Sequence, residues 1–153
     1  MGRRQDVWAM TKDQKDSLIR RLFDYAFNRG NLAILEELLT PDSITHLQTS
    51  GFPNNHTGFK QLIASLRLAF PDLHCTVEDE IEEKDKLAAL WTMRGTHKGS
   101  FLGNPPTGRS IVVQGIIFAR TADGRIVEDW ILVDQLGVLQ QLGLVPPTRN
   151  KEI

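Results

Sequence analysis

The spacing of apolar residues changes once along this chain, at Pro71. Before Pro71, apolar residues recur at helical spacing, as they do from Leu18 to Ala26. After it, apolar and polar residues alternate from Leu73 to Ile81, which is typical of a half-buried strand with Ile81 on its apolar face. Helices followed by a run of strands predict an α+β fold rather than a parallel sheet with alternating helices.

Cap and turn residues divide the first part of the chain into three helices. The segment Thr11–Gln14 has the spacing of a capping box at the start of the first helix. Gly30 ends that helix, because glycine readily adopts the left-handed C′ conformation. Asn31 can cap the second helix, which we expect to stop at Pro41-Asp42. The third helix begins at about Phe59.

The later part of the chain is predicted to be a meander of strands, beginning at Leu73 and continuing over residues 87–95, 111–120 and 126–133. Residues 44–47 form a further short strand, and residues 136–142 a final short helix. Both faces of residues 111–120 are apolar, so we expect helices to cover one face of the sheet and a partner subunit the other. The simplest arrangement is a curved sheet wrapped around helices, with a concave pocket.

Composition and charge exclude several classes of protein. The 18 basic and 19 acidic side chains give a net charge of −1, which lacks the positive footprint of nucleic-acid binding. No stretch approaches the ~18 consecutive apolar residues of a membrane helix. A single cysteine, Cys75, allows no internal disulfide and fits a cytoplasmic protein. The histidines at positions 46, 56, 74 and 97 lack the spacing of a metal site, and we expect neither a metal nor a cofactor.

Five motifs carry a family resemblance: Phe70-Pro-Asp-Leu73, Gly95-Thr-His-Lys-Gly99, Gly103-Asn-Pro-Pro-Thr-Gly108, Asp123-Gly-Arg-Ile-Val-Glu-Asp-Trp130, and Asp134 with Leu139-Gln-Gln-Leu-Gly143. In this order they resemble the SnoaL-like polyketide cyclases, also called ester cyclases, of the NTF2-like superfamily. The resemblance covers about residues 15–146. Together with the length of 153 residues, it favours one domain over residues 1–153, with flexible tails at residues 1–10 and 147–153.

The resemblance implies a fold and a chemistry. The fold is a cone-shaped α+β barrel, in which the N-terminal helices pack in a curved, mainly antiparallel sheet around a deep apolar pocket. The implied assembly is a homodimer or homotetramer. The implied chemistry is a cofactor-free enolisation or intramolecular aldol reaction, by general acid/base catalysis, on a small hydrophobic or polyketide-like carbonyl or ester compound.

At the two positions where the cyclases carry a catalytic aspartate and a pocket histidine, this chain has isoleucines. Registering the pattern without gaps on residues 124–126 and 141–143 places the catalytic aspartate at Ile131 and the pocket histidine at Ile117. Neither side chain can transfer a proton, so in this register the aldol reaction cannot use that residue set. A strand bulge would shift the register by one.

Three other residues are candidates for proton transfer. Asp129 shares the face of Ile131, and an apolar cavity would raise the pKa of its carboxyl; the alternative is a charge near the hairpin that faces water. Asp134 is the family-pattern carboxylate, and it can also cap the final helix. His97 can act as an acid or base or orient a carbonyl, or it can hold the following loop by a hydrogen bond to the backbone.

The residues predicted to bind substrate are His46, Trp91, Arg94, Gln114, Ile117, Trp130 and Ile131. The two tryptophans either stack on a planar ligand as pocket walls or fill the barrel as core. Arg94 either binds substrate or pairs with Glu128 or Asp129. The loop of residues 99–108 is either a lid, with Phe101 and Leu102 as apolar plugs, or a rigid connection.

Two further functions compete with the enzyme. A carrier or sensor would bind a small hydrophobic molecule in the internal pocket without turnover, and the missing aspartate and histidine motivate it. An oligomerisation module would have an exposed apolar sheet face and a small or filled cavity. The enzyme requires at least one of the candidate acid/base side chains to project into the pocket.

Overall fold

The computed structural model describes residues 17–47 and 51–147. Helix α1 joins an α-helical turn, Leu18–Arg21, to a π-helical segment, Leu22–Asn28, and α2 joins a 3-10 turn, Leu32–Ile34, to Leu35–Leu38. The remaining helices are α3 (His56–Ala69) and α4 (Gln135–Gln141). The strands are β1 (Leu39–Leu47), β2 (His74–Glu83), β3 (Lys86–Thr96), β4 (Ser110–Ala122) and β5 (Arg125–Val133).

The strands form one curved five-stranded sheet in the order β1-β5-β4-β3-β2. Strand β1 runs parallel to β5, and the other three pairings are antiparallel. The helices α1 to α3 pack against the inner face of the sheet, where Phe23, Phe59 and Ile63 are buried with the core. The α+β prediction and its N-terminal helices in a curved sheet are confirmed.

Helix α1 is held at both ends by side chains. The Ser17 side chain accepts a hydrogen bond from the Arg20 amide at 3.2 Å, whereas the predicted capping box at residues 11–14 lies outside the described residues, as do most of the predicted tails. At the other end, Gly30 has a φ of +72°. The Arg67 guanidinium lies 2.7 Å from the place a Cβ on Gly30 would take and donates to the Phe27 carbonyl at 2.7 Å. Glycine is therefore needed here for its backbone angle and for its size.

The second helix ends earlier than predicted. It ends at Leu38, and the strand that follows begins at Leu39 and includes Pro41-Asp42. The register of β1 against β5 is interrupted between Leu39 and Ile44, so Pro41, which has no amide hydrogen, falls where the ladder is broken. Proline therefore marks an irregular edge strand here and does not stop a helix.

A bulge reverses the faces of β2. The register against β3 shifts between Val77 and Asp79, so the alternation that began at Cys75 does not continue. Ile81 is 71% exposed, which corrects the prediction that it lies on the buried face. Glu80 turns inward instead, where its carboxylate accepts from the Ser17 hydroxyl at 2.8 Å.

The outer face of the sheet exposes several apolar side chains on neighbouring strands, namely Leu90, Val112, Ile116, Phe118 and Leu132. They alternate with buried residues along each strand, as in β4, where Ile117 is buried between exposed Ile116 and Phe118. Both faces of the sheet are therefore apolar, as the sequence pattern indicated.

Candidate ligand cavity

A cavity of about 120 Å³ lies between the helices and the inner face of the sheet. The strands contribute Leu47, Cys75, Trp91, Met93, Ile131 and Val133 to its wall. The helices contribute Phe27, Leu62, Leu66, Gln135 and Val138. Phe101 and Leu102, from the loop between β3 and β4, complete it. The inner face of a curved sheet thus leaves a ligand-sized space against three helices.

The wall of the cavity is almost entirely apolar and carries no charge. Its polar side chains are the amide of Gln135, the thiol of Cys75 and the indole of Trp91. Burial raises the pKa of the Cys75 thiol to about 12, so the thiol is protonated at neutral pH. The Trp91 Nε1 is buried and has no hydrogen-bond partner within the described part of the chain.

Gly115 makes room for the Trp91 indole. A Cβ on Gly115 would lie 2.1 Å from Cζ2 of Trp91, which is far inside van der Waals contact. The two residues are paired across β3 and β4, so the ring lies directly over the glycine. A large aromatic residue opposite glycine on paired strands is the sequence signal that could have identified this wall.

Asp129 is fully buried on the inner face of β5, two residues before Ile131 of the cavity wall. It pairs with Thr45 across β1 and β5, just as Ile131 in the cavity wall pairs with Leu47. The Thr45 hydroxyl donates to Oδ1 of Asp129 at 2.8 Å, and Oδ2 has no partner among the residues described. The predicted alternative of a carboxylate facing water is therefore wrong, because no part of the side chain is exposed.

Burial dominates the protonation of Asp129. It raises the pKa of the carboxyl from 3.8 to about 7, and the hydrogen bond from Thr45 acts in the opposite direction. The carboxyl thus passes between its neutral and charged forms near neutral pH. Its side chain is absent from the cavity wall, and the next inward-facing pair along the two strands, Leu47 and Ile131, belongs to that wall.

His97 holds the loop between β3 and β4. Its Nδ1 accepts from the Thr107 backbone amide at 3.1 Å, which leaves Nε2 to carry the proton of the neutral ring. The ring packs against Phe70 and Phe101, with centroids 5.6 and 6.1 Å away. Nε2 is buried and has no partner within residues 17–47 and 51–147. The geometry matches the loop-holding alternative, and the imidazole is outside the cavity wall.

Asp134 caps α4. Its Oδ1 accepts from the Gly137 amide at 2.9 Å, which satisfies one of the free amides at the helix start. The residue is exposed and is outside the cavity wall. None of the three candidate acid/base side chains projects into the cavity, so the arrangement expected of the enzyme is not met unless the cavity wall moves.

Four of the predicted binding residues lie on the outer face of the sheet, away from the cavity: His46, Arg94, Gln114 and Trp130. The physical reason is the period of two along a strand, because each directly neighbours an inward-facing residue. With Ile131 in the wall, for example, Trp130 must point to the opposite face. These four predictions of a pocket position are corrected.

The outer-face residues form a contact network of their own. The rings of His46 and Trp130 are stacked, with centroids 4.7 Å apart. The Glu128 carboxylate contacts Nε2 of His46 at 2.8 Å and also binds Arg120, and these hydrogen bonds lower the pKa of Glu128. Arg94 is exposed and pairs with neither Glu128 nor Asp129.

Both the sequence and the fold of this chain match known proteins. Residues 17–142 match the SnoaL-like polyketide cyclase family. The chain belongs to this family. It is 32% identical over 139 residues to the aklanonic acid methyl ester cyclase DauD of Streptomyces sp. (strain C5), covering 86% of this chain and 83% of that protein. It is 31% identical to the aklanonic acid methyl ester cyclase DnrD of Streptomyces peucetius, covering 86% and 92%.

Solved structures of the NTF2-like fold agree with the sheet and helices described above. Wild-type IdmH from Streptomyces antibioticus superposes with a TM-score of 0.73 at 36% identity, covering 82% of this chain and 96% of that chain. TsrD from Streptomyces laurentii superposes with a TM-score of 0.75 at 28% identity, covering 84% and 93%.

The two isoleucines of the family register lie side by side in this SnoaL-like protein. Ile117 and Ile131 are paired across β4 and β5 on the inner face. Ile131 contributes to the cavity wall, whereas Ile117 is fully buried beside it and is not part of the wall. Among the predicted binding residues, Trp91 and Ile131 therefore contact the cavity, and their role in binding stays a prediction.

Much of the cavity wall was not singled out from the sequence. Phe27, Leu62 and Leu66 on the helices and Met93 on β3 line the cavity, but the sequence contains no signal that distinguishes them from other apolar residues. Gln135 follows the cap residue Asp134, so its contact with the cavity depends on where α4 packs. Helical periodicity indicates which face is buried, but not whether it meets a neighbour or a cavity.

The residues that the structure describes contain neither a cluster of metal-ligating side chains nor a membrane-spanning helix. No group of three or more His, Cys, Asp or Glu side chains within them is placed to hold a metal ion. No helix among them combines the length and apolar character needed to cross a membrane.

Proposed function

We propose that this chain is a cyclase that binds a hydrophobic carbonyl or ester compound in the cavity and uses Asp129 as its general acid and base. The observation that carries the proposal is the position of Asp129. It is fully buried beside the cavity, its Oδ2 has no partner among the described side chains, and its pKa is about 7. A carboxyl with these properties can accept and return a proton near neutral pH.

Two properties of the cavity and its relatives support the same chemistry. The curated relatives are named for the cyclisation of a methyl ester, so an ester or ketone is the substrate class that the comparison favours. The apolar wall lowers the local dielectric constant, which strengthens hydrogen bonds and charge interactions with a carbonyl group inside it.

The proposed reaction conserves atoms and charge. The Asp129 carboxylate removes a proton from the carbon next to one carbonyl group, which leaves an enolate. The enolate carbon forms a bond to a second carbonyl carbon of the same molecule, and the oxygen of that carbonyl takes up the electron pair. The protonated Asp129 then returns its proton to this oxygen. The side chains of Leu47 and Ile131 must move apart for the substrate to reach the carboxyl.

The experiment that tests this proposal follows proton exchange rather than a complete reaction. Acetophenone has one ring, and its methyl protons exchange with heavy water through the enolate. We expect the wild type to accelerate this exchange, and Asp129→Asn to lower the acceleration by about 10²- to 10⁴-fold. Asparagine keeps an oxygen that accepts from Thr45, so the variant tests the proton and not the fold.

The matched control is Asp134→Asn, because Asp134 is an exposed aspartate that caps α4. Asp134→Asn is expected to accelerate the exchange of acetophenone protons as much as the wild type does, per folded molecule. Exchange that survives in Asp129→Asn would contradict the proposal.

A second function is favoured by a different observation. Within the described residues, the cavity wall holds neither a carboxylate nor an imidazole, as expected of a protein that carries a hydrophobic ligand without turnover. For a carrier, the wild type binds acetophenone without accelerating its exchange, and Asp129→Asn binds it with the same affinity. The third function, an oligomerisation module with a small or filled cavity and an exposed apolar sheet face, stays a prediction.

A further inference from the structure

We propose that the ligand has two parts: a group no larger than a single ring inside the cavity, and an apolar chain that lies over the mouth. This inference rests on the proposed function, because it concerns the ligand of the same site. It differs from a fused-ring ligand held wholly inside the protein. Three observations lead to it: the volume of the cavity, the exposure of its wall at one point, and the position of Gln135.

The volume limits what the cavity can enclose. It is about 120 Å³, whereas an engineered protein cavity of ~150 Å³ binds benzene and pockets for drug-sized ligands measure about 300 to 1,000 Å³. One ring or one branched alkyl group therefore fits. Two or three fused rings would have to displace Phe101 or Leu102, which close the cavity from the loop between β3 and β4.

The mouth of the cavity is apolar as well. Leu102 and Val133 belong to the wall, and yet they are 51% and 39% exposed, so the cavity reaches solvent between them. We define Leu102 and Val133 as the apolar rim. An alkyl chain that continues out of the cavity would remove these side chains from water.

Gln135 contributes the only side-chain amide to the described cavity wall. It begins α4, two residues after Val133 of the rim. Its side-chain amide makes no hydrogen bond to another described residue, so its donor group is available to a ligand. An amide N–H at this level suits an ester or ketone oxygen at the junction between the ring and the chain.

Alkyl benzoates are the probes that test the two-part ligand. Each has one ring, then an ester, then a chain of chosen length, and the fused-ring comparison is methyl 9-anthroate. We expect the dissociation constant, measured by calorimetry, to fall at least tenfold from methyl to hexyl benzoate, because the added carbons cover the rim. Methyl 9-anthroate should bind at least tenfold more weakly than methyl benzoate. Anthroate binding as tight as benzoate, or no effect of chain length, would overturn the inference.

Rim variants separate the two parts. Val133→Ser and Leu102→Ser should weaken the binding of hexyl benzoate at least fivefold more than they weaken the binding of methyl benzoate. The matched control is Leu68→Ser, since Leu68 is 75% exposed on α3 and contributes to neither the wall nor the rim. Leu68→Ser should leave the affinity for both esters unchanged. Equal losses for the short and the long ester in the rim variants would show that the chain does not lie there.

The role of Gln135 has its own comparison. Gln135→Leu should weaken hexyl benzoate at least fivefold but leave octylbenzene, which has no carbonyl, within twofold. The proposed catalysis fails if the wild type does not accelerate proton exchange, or if Asp129→Asn retains the acceleration. The two-part ligand fails in the binding pattern of the esters alone, so the two failures are distinguishable.

Discussion

Asp129 is an ionisable side chain that is buried between residues of the two neighbouring strands, β1 and β4. Thr45 on β1 bonds one oxygen, and Ala119, its partner on β4, is small enough to leave room for the carboxyl. Serine or threonine next to a buried aspartate on paired strands stabilises the charged form, while burial stabilises the neutral form. The balance of these two effects places the pKa at about 7.

The raised pKa predicts how stability depends on pH. Between pH 3.8 and about 7, folded Asp129 retains a proton that the unfolded chain has released. Its contribution to the free energy of unfolding is therefore complete below pH 4 and falls as the pH rises to about 7, by at most about 4 kcal/mol. Urea unfolding at pH 4.5 and pH 8 measures this loss.

The variant Asp129→Asn isolates that contribution from the other carboxyl groups. Asparagine does not titrate, so the difference in unfolding free energy between variant and wild type should move in favour of the variant as the pH rises. Asp72, whose pKa is lowered by hydrogen bonds from Thr96, titrates in both proteins and cancels in the difference. A difference that stays constant between pH 4.5 and pH 8 would contradict the prediction.

The loop between β3 and β4 is the element whose position decides whether the cavity is closed. Two backbone hydrogen bonds form its base. The His97 amide donates to the Arg109 carbonyl at 2.8 Å, and the Gly108 amide donates to the His97 carbonyl at 2.9 Å. The His97 ring adds the bond from Thr107 and supports Phe101, which forms part of the cavity wall. A polar anchor at the base thus positions an apolar plug at the tip.

Replacing the anchor should loosen the loop without emptying the core. His97→Phe keeps a ring between Phe70 and Phe101 but cannot accept from the Thr107 amide. Hydrogen exchange of the Thr107 amide, followed by NMR, is expected to accelerate at least tenfold, because about 1–3 kcal/mol of local stabilisation is lost. Thr107→Val is the control, since it retains the amide. Unchanged exchange in His97→Phe would show that the backbone ladder alone holds the loop.

At the scale of the whole molecule, the exposed apolar band on the outer face is the feature that a single chain leaves unexplained. Ile116 and Phe118 on β4 lie beside Leu132 and Trp130 on β5, and charged residues such as Arg120 and Glu128 border them. An apolar patch with a charged border is typical of an interface. The homodimer or homotetramer expected from the sequence stays a prediction, as does the cytoplasmic location.

The outer face predicts how the assembly can be disrupted. Ile116→Lys places a charge in the middle of the band, and because Ile116 is half exposed in the single chain, the substitution leaves the core intact. Light scattering after size exclusion should give twice or four times the chain mass for the wild type and the chain mass for the variant. Leu68→Lys, at an exposed leucine on α3, should keep the wild-type mass. A monomeric wild type would contradict the prediction.

The succession of helices and strands followed from local chemistry in the sequence. Gly30 adopts the positive φ that its position required, and Asp123 and Gly124 both have positive φ in the hairpin turn between β4 and β5. The capping of α4 by Asp134 was equally local, since the donor lies three residues away. Such features depend on neighbours in the chain, and residue type is sufficient to predict them.

Only the tertiary structure decided which side chains line the cavity. The bulge after Val77 exchanged Glu80 and Ile81 between the two faces of β2, and nothing in the local alternation indicated it. The parallel pairing of β1 with β5 brought Thr45 against Asp129, although 84 residues separate them. The sequence by itself therefore determined the family, the elements and the two apolar faces. Strand register decided which side chains meet the cavity, because a shift of one residue turns each side chain to the opposite face.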